Sequence, residues 1–346
     1  MKQTLDIPLF IKASKAILDL ETESEDIPWA RLIWDKQKGR PCVKSKAVAT
    51  IGAFDGVHIG HTMLLQEAKT LAEQKDRLLI AITFSPDPSE TLGLPQTSEE
   101  LLSPDQRSRG LLLAGADLVV QVKFTQYMSV MSYRMFMSLV LMNFDIKDIF
   151  VGRDFRLGRG GLGTTNRLGR LGLNVGFRVH PVDLLDEAGC VVSATRIRKL
   201  IHEGKFDQAN ELLVRPHFAQ GQVIHGRGEG TSFGFPTANI SINPKRCLPD
   251  QGVYAAVVVD GKRAYPAAVN IGLPPTFDSE SHLDFGFAEA NLIGCHEDLY
   301  SKELTIYFLK HLRDSKKFDS LEELEACVQS NIKWVQDNVS SESWEV

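Results

Sequence analysis

Nowhere in the chain do eighteen consecutive apolar residues occur, which excludes a hydrophobic membrane-spanning helix of ordinary length. The opening stretch MKQTLDIPLFIKASKAILDL carries acid from Asp6 onward and has no long apolar core of the secretory kind, so the expected location is cytoplasmic. Cysteine is scarce. Cys42, Cys190, Cys247, Cys295 and Cys327 are odd in number, widely spaced and without a C-x-x-C pair, which argues against a disulfide framework or zinc site and for buried free thiols. Neither sign of charge is in large excess. A net charge of -5 gives no general attraction to phosphate backbones or anionic lipid, so no nucleic acid and no membrane is expected as a partner. What is there is ordinary globular material: 43% hydrophobic and 24% charged residues, with 27 Gly and 15 Pro, which excludes collagen-like, disordered and coiled-coil classes. At about 150 residues per domain, 346 residues predict two domains.

The first 45 residues show no clean period. After them, Ala47 to Gly52, Leu78 to Phe84, Asp117 to Phe124 and Asp148 to Gly152 are short apolar runs of the kind buried on both faces of a parallel sheet. Helical segments lie between them. Thr62 to Lys75 places Leu64, Ala68, Leu71 and Ala72 on one face, Ser103-Pro104 reads as an N-cap followed by Pro at N1, and Ser132 to Asn143 is strongly apolar. Alternating strands and helices predict a doubly wound α/β domain. Ser193 to Glu203 and Phe206 to Leu213 read as two further helices. From about Phe218 the pattern turns to strands, with GVYAAVVVD and RAYPAAVNIG around Asp260-Gly261 as a hairpin, Glu303 to Leu312 as another strand, and an amphipathic helix from Ser320 to about Asp337. The expected organisation is an α/β domain over 1–205 and a small antiparallel β-barrel with a terminal helix over 206–346.

The strand AVATIG runs into Ala53-Phe54-Asp55-Gly56-Val57-His58-Ile59-Gly60-His61 and directly into a helix. An α/β sheet binds ligands there, at a strand's carboxyl end and a helix start whose free N–H groups favour anions. Two histidines flanking a glycine can face a nucleotide's phosphates and stabilise charge on a pentavalent α-phosphate, which is nucleotidyl-transfer chemistry. The string HIGH also occurs in class I aminoacyl-tRNA synthetases, but no lysine-rich KMSKS-like loop follows and the acidic balance opposes tRNA. Gly158 to Gly163 formally matches the dinucleotide fingerprint G-x-G-x-x-G, with Asp183 downstream. The match is rejected because TTNRLGRLGLN lacks the apolar period of the required helix; an Arg/Gly-rich loop is expected instead. Ser193-Ala194-Thr195-Arg196 sets two hydroxyls and a guanidinium at a helix start, a receptor for the β and γ phosphates of ATP. In the second domain a glycine-rich loop with Gly226, Gly228, Gly230 and Gly234 runs into Pro236-Thr237-Ala238-Asn239. Thr237 and Asn239 project to one side of an extended chain, where hard oxygens suit Mg²⁺, although a plain loop satisfies the spacing equally well.

Taken together, GAFDGVHIGH, TFSPDP, VGRDFRLGRGGLG, VSATRIRKLI, GFPTAN, NIGLPPTF, the EANLIG…DLYSKEL segment and LRDSKKFDSLEEL, in this order from about Val48 to Val328, resemble the bifunctional riboflavin kinase/FMN adenylyltransferase family, the prokaryotic FAD synthetases. The resemblance implies an HxGH-type nucleotidyltransferase domain followed by a riboflavin kinase-like barrel, making FMN from riboflavin and FAD from FMN. ATP is the co-substrate, Mg²⁺ or another divalent cation the metal, and FMN or FAD the bound flavin. It implies catalytic roles for His58, His61 and Glu289, the last as base for the riboflavin 5′-hydroxyl. Nucleotide contacts are implied for Gly52, Phe54, Asp55, Gly60, Asp154, Ser193, Thr195 and Arg196, and metal and ATP contacts for Thr237 and Asn239 beside the Gly226 to Pro236 loop. Four departures stand out: Ala53 replaces the usual Phe, Asp87 the usual His between Pro86 and Pro88, Glu229 and Thr231 replace basic loop residues, and Asn291 replaces a common His. These leave two alternatives, an FMN adenylyltransferase with an impaired kinase domain and a non-catalytic flavin sensor.

Overall fold

In the computed structural model residues 7–91, 99–184, 189–225, 237–261, 263–272, 286–316, 318–340 and 342–345 are described. They fall into two compact units, Lys15–Ala194, and Met1–Ser14 together with Thr195–Val346. Packing therefore places the division earlier than residues 205/206 and returns the N-terminal segment to the second unit.

The first unit is built on a seven-stranded sheet. Helix α1 (Ile7–Asp19) is followed by a hairpin of β1 (Thr22–Ile27) and β2 (Ala30–Asp35), elements the aperiodic first 45 residues did not announce. Strands β3 (Lys46–Ile51), β4 (Leu78–Ser85), β5 (Leu118–Lys123) and β6 (Asp145–Gly152) are the four apolar runs. Beyond β6 come a two-residue ribbon of β7 (Arg156–Leu157) and β8 (Gly163–Thr164) and a last strand, β9 (Arg178–Val182). The sheet order is β1-β2-β5-β4-β3-β6-β9, parallel from β5 to β9, with the hairpin added antiparallel along β5. The chain winds outward from β3 to β5, then returns to β6, so the strand order reverses at β3. That reversal opens a crevice at the strands' carboxyl ends.

Helix α2 (Ile59–Gln74) buries Leu64, Leu65, Ala68 and Ala72, each leucine contributing about 2 kcal/mol of burial. The short α3 (Pro88–Thr91) precedes α4 (Pro104–Leu113), whose Ser103 cap forms a full capping box with Gln106. After α5 (Gln126–Ser129), α6 (Tyr133–Asn143) starts at the Ser132 cap. The expected Arg/Gly loop is in part a helix: α7 (Thr165–Val175) is capped by Thr164 and closed by Gly176 in the left-handed region. Its glycines serve packing, since a Cβ on Gly172 would lie 2.3 Å from the Phe177 carbonyl oxygen. A ribbon, rather than a tight strand-to-helix turn, separates β6 from α7, so the dinucleotide fingerprint stays rejected.

In the second unit α8 (Ala194–His202) and α9 (Phe206–Leu213) precede β10 (Phe218–Ile224), β11 (Ala238–Ile242), β12 (Gly252–Val259), β13 (Arg263–Ile271), β14 (Gly286–Leu292) and β15 (Glu303–Asp314). These six strands pair antiparallel in the order β12-β15-β10-β11-β14-β13, and β13 pairs back to β12, closing the barrel. Asp260 holds the β12–β13 turn by accepting from the Arg263 amide. The terminal helix α10 (Leu321–Asn338) is followed by a short edge strand, β16 (Trp344–Glu345).

Residues 195–205 join this unit for a physical reason. Phe206 stacks on Phe308 with ring centroids 5.5 Å apart, and a Cβ on Gly204, at φ 66°, would reach within 2.9 Å of the His311 Cβ. The Ser14 hydroxyl donates to the Pro216 carbonyl at 2.8 Å. The expectation of buried thiols holds for Cys247 alone: Cys42 and Cys190 are exposed, Cys295 and Cys327 half-buried. Both exposed thiols lie near loops, where composition carries no burial signal. Among the described residues no helix is long and apolar enough to cross a membrane.

Candidate active sites

At the carboxyl end of β3 the chain makes a tight, strained turn. Phe54, Gly56 and Val57 have φ of 55°, 77° and 42°, Phe54 just before and the other two within a 3-10 turn from Asp55 to Val57. Non-glycine residues hold such angles only where surrounding contacts over-determine them. The Asp55 carboxylate, 4% exposed, accepts from the Leu101 and Leu102 amides. It braces the turn from behind. Gly52 leaves room for the Phe54 ring, which would stand 3.1 Å from a Cβ there. Gly60 likewise admits Leu184, whose Cβ would be 3.1 Å away.

His58 caps α2 and His61 occupies its third helical position, so the two rings share a face one turn apart. They stack at 3.6 Å with an interplanar angle of 17°, and Phe54 packs edge-on against His61 at 5.1 Å. The helix's first amides lack intrahelical acceptors and open toward the same crevice. Burial, then the His58 ring, then the nearby Arg107 guanidinium hold His61 well below the usual histidine range, so it is neutral at pH 7. Its Nδ1 is buried without a hydrogen-bond partner among the described residues, which leaves Nε2 to meet a ligand. A neutral imidazole that donates one N–H, beside helix amides, is suited to an anionic transition state.

Asp154 follows β6, next to β3 in the sheet, with its Oδ1 folded back to within 3.3 Å of where a Gly152 Cβ would stand. Ser193 follows Val192, whose amide donates to the Leu184 carbonyl, and Leu184 lies against Gly60. Thr195 and Arg196 begin α8 and count with the second unit. A cavity of 340 Å³ lies past the end of β4, lined by Phe84, Phe124, Met128, Met131 and Phe136, with Gly158, Gly160 and Gly161 along its edge. None of these aromatic and methionine residues was singled out from sequence, because apolar positions scattered over a strand, a loop and two helices read as core. Arg107, on α4, was missed for a similar reason: an arginine among the polar residues of a short helix, with Arg109 two positions on, carries no motif.

On the barrel, β11 and β14 pair with Asn239 directly opposite Glu289, and β13 sets Asn270 on Glu289's other side. Alternation along β14 buries Ala288, Ala290 and Leu292 and turns Glu289 and Asn291 outward. The Thr237 hydroxyl donates to the Glu289 carboxylate at 2.7 Å. Both line a cavity of 330 Å³ shared with Asn270, Asn291, Arg313, Lys316, Phe318 and, from α10, Leu324 and Val328. Thr237 also borders a second cavity of 310 Å³, lined by Val223, Leu292, Leu299 and Tyr300. The His225 ring stacks on Tyr300 at 4.0 Å. Gly226, Gly228, Gly230, Gly234 and Pro236 lie outside the described residues, as do Glu229 and Thr231.

Comparison with known proteins bears on both units. Residues 41–196 match the family model described as FAD synthetase, and residues 213–339 the model described as riboflavin kinase. The chain is 31% identical over 293 residues to the bifunctional riboflavin kinase/FMN adenylyltransferase of Bacillus subtilis, covering 81% of this chain and 89% of that one. With the Pseudomonas fluorescens protein of the same name it shares 32% over 289 residues, 82% of this chain and 90% of that one. The Escherichia coli counterpart shares 31% over 281 residues, covering 81% and 88%. A solved structure from Streptococcus pneumoniae, described as a macrolide-efflux protein, superposes with a TM-score of 0.74 at 28% identity, over 86% of this chain and 95% of that one.

Proposed function

The chain belongs to the bifunctional riboflavin kinase/FMN adenylyltransferase family, and from that premise we propose how its two ATP-dependent steps, riboflavin to FMN and FMN to FAD, divide between its two units. The supporting observation is that each unit carries its own complete set of polar groups: the His58/His61 turn in one, the Thr237–Glu289 pair opposite Asn239 in the other. As functional domains, 1–205 hold the adenylyltransferase and 206–346 the kinase.

In the kinase, riboflavin occupies the Glu289 cavity with its 5′-hydroxyl at the carboxylate. Glu289 takes the hydroxyl proton as the oxygen attacks the γ-phosphorus and the bond to the β-bridging oxygen breaks, leaving ADP. Arg313 and Lys316 on the wall of the Glu289 cavity supply positive charge for the nucleotide's phosphates. Thr237 and Asn239 present hard oxygens from alternate positions at the start of β11, donors that fit Mg²⁺, beside the Glu289 carboxylate that serves as base. Held there, a divalent cation would supply positive charge against the nucleotide's phosphates.

In the adenylyltransferase, a phosphate oxygen of FMN attacks the α-phosphorus of ATP and pyrophosphate leaves. His58 and His61 donate N–H groups to the charge that builds on the α-phosphate oxygens. Gly52, Phe54, Gly60 and Asp55 shape the turn that brings those groups to the nucleotide, with Asp154 and Ser193 as further nucleotide contacts in the same unit. The isoalloxazine ring takes the aromatic and methionine cavity beyond β4, where stacking and sulfur–ring contacts are available. The cytoplasm, which holds ATP, is the proposed location. Product analysis after incubation with ATP and Mg²⁺ plus either riboflavin or FMN tests the assignment. FMN and FAD from the first mixture and FAD from the second are expected; neither product would overturn it.

A further inference from the structure

Arg107 is the bulkiest of the fully buried side chains, 1% exposed. It reaches from α4 to the carboxyl ends of two neighbouring parallel strands. One terminal nitrogen donates to the Ala53 carbonyl at 2.9 Å, just past β3, and the other to the Phe84 carbonyl at 2.7 Å, in β4. The Ala53 carbonyl also accepts from the Thr83 hydroxyl at 3.0 Å. Ala53 is the residue from which the strained turn departs, and α4 backs that turn again at Gly110, where a Cβ would stand 3.1 Å from the Val57 Cγ2. Among the described residues no carboxylate lies within ion-pairing distance of the guanidinium, and its Nε has no hydrogen-bond partner. A buried cation without a counter-charge is costly, and two neutral carbonyls offset that cost only in part. Among the described residues the charged and titratable groups placed around His61 are His58 on the same turn, Arg107 from α4, Asp55 on the Leu101 and Leu102 amides, and Asp154 beyond Gly152.

We propose that Arg107 is a positioning residue for adenylyl transfer: its fork fixes the Ala53 and Phe84 carbonyls, and so the turn that carries His58 and His61, while the nucleotide's phosphates supply a counter-charge that the described residues do not. This rests on the assignment of adenylyl transfer to the histidine turn. An arginine placed there by packing alone would make the same two bonds yet leave nucleotide affinity and turnover untouched.

The test uses the full chain as wild type, Arg107→Lys, Arg107→Met and His61→Ala, with FAD formation from FMN followed over ATP concentration. Arg107→Lys keeps the charge and loses the fork, so kcat falls about tenfold or more while KM for ATP stays within about threefold. Arg107→Met loses both, so kcat falls about 100-fold and KM for ATP rises about tenfold. In NMR titration of the imidazole C–H signals, the His61 midpoint moves up in Arg107→Met and stays in place in Arg107→Lys. Riboflavin phosphorylation is unchanged throughout. An Arg107→Met protein with unaltered kcat and KM overturns the proposal wherever the His61 midpoint falls; if that variant does not fold, Arg107→Lys decides, unaltered kcat and KM overturning it. Full FAD synthesis by His61→Ala would instead overturn the underlying site assignment.

Discussion

Replacing Glu289 by Gln preserves the side chain's shape on β14 and removes its capacity to take a proton. The Thr237 hydroxyl, which donates to that carboxylate at 2.7 Å, can still bond to the amide oxygen, so the cavity keeps its geometry. What is lost is proton abstraction, worth about 10²–10⁴ in rate, or roughly 3–5 kcal/mol of barrier. Thr237→Val removes one hydrogen bond to a charged group, roughly 1.5–3 kcal/mol, and lowers riboflavin phosphorylation about 10–100-fold. Because hydroxyl and carboxylate act as one unit, the double variant loses much less than the combined effect of the two single changes. The assay is chromatographic separation of FMN and FAD, with riboflavin or FMN supplied at saturating ATP and Mg²⁺. Each variant forms FAD from FMN at the wild-type rate. The reasoning is refuted if Glu289→Gln phosphorylates riboflavin within tenfold of wild type, or if FAD formation from FMN falls alongside.

The reciprocal change, His61→Ala, removes the N–H presented to the α-phosphate and lowers FAD formation from FMN about 100-fold or more, with FMN formation from riboflavin intact; chromatography on the two substrates reads both rates. His217 is buried, and its Nε2 lies 2.9 Å from the Cys247 carbonyl; burial holds its pKa at about 4 against 6.5 for an open histidine. The unfolded chain therefore takes up this proton first as pH falls below 6.5. Stability is untouched above that pH and declines to about pH 4, where the folded protein protonates as well, for a total near 3 kcal/mol. Denaturant unfolding at stepped pH should show this decline, and His217→Gln should lessen it. In most helices Gly→Ala stabilises, but Gly172→Ala drives a methyl against the Phe177 carbonyl at 2.3 Å and should destabilise the first unit by about 1–3 kcal/mol, measured by thermal unfolding. A rise in melting temperature would contradict that packing.

The main elements of both units were legible in sequence because their signals are local. Continuous apolar runs announce strands buried on both faces, and Ser103-Pro104 announces a capped helix, since the groups that satisfy its first amides lie within four residues. The same holds for Asp260-Gly261, whose turn is closed by neighbours. Legibility failed where stability comes from distant contacts. The β1–β2 hairpin is polar along β1 and gains its place by edge pairing of β2 to β5, some 90 residues on. Helix α7 carries two glycines that lower its intrinsic propensity, and it forms because Gly172 lets the helix seat against Phe177.

For the sites the same distinction holds. Sequence by itself determined which residue types can do the chemistry: two histidines around a glycine at a strand-to-helix turn, hydroxyls at a helix start, and Thr237 and Asn239 alternating along a strand, all short-range patterns. Only tertiary structure decided what those groups face. Register between β11 and β14 set Glu289 opposite Asn239, two strands separated by about 50 residues of chain. Packing of α4 behind β3 and β4 put the Arg107 guanidinium on the Ala53 and Phe84 carbonyls, and the segment before α4 set the Leu101 and Leu102 amides on the Asp55 carboxylate. Pairing register, desolvation and the sharing of a carbonyl by distant donors are properties of the folded arrangement, and no local pattern encodes them.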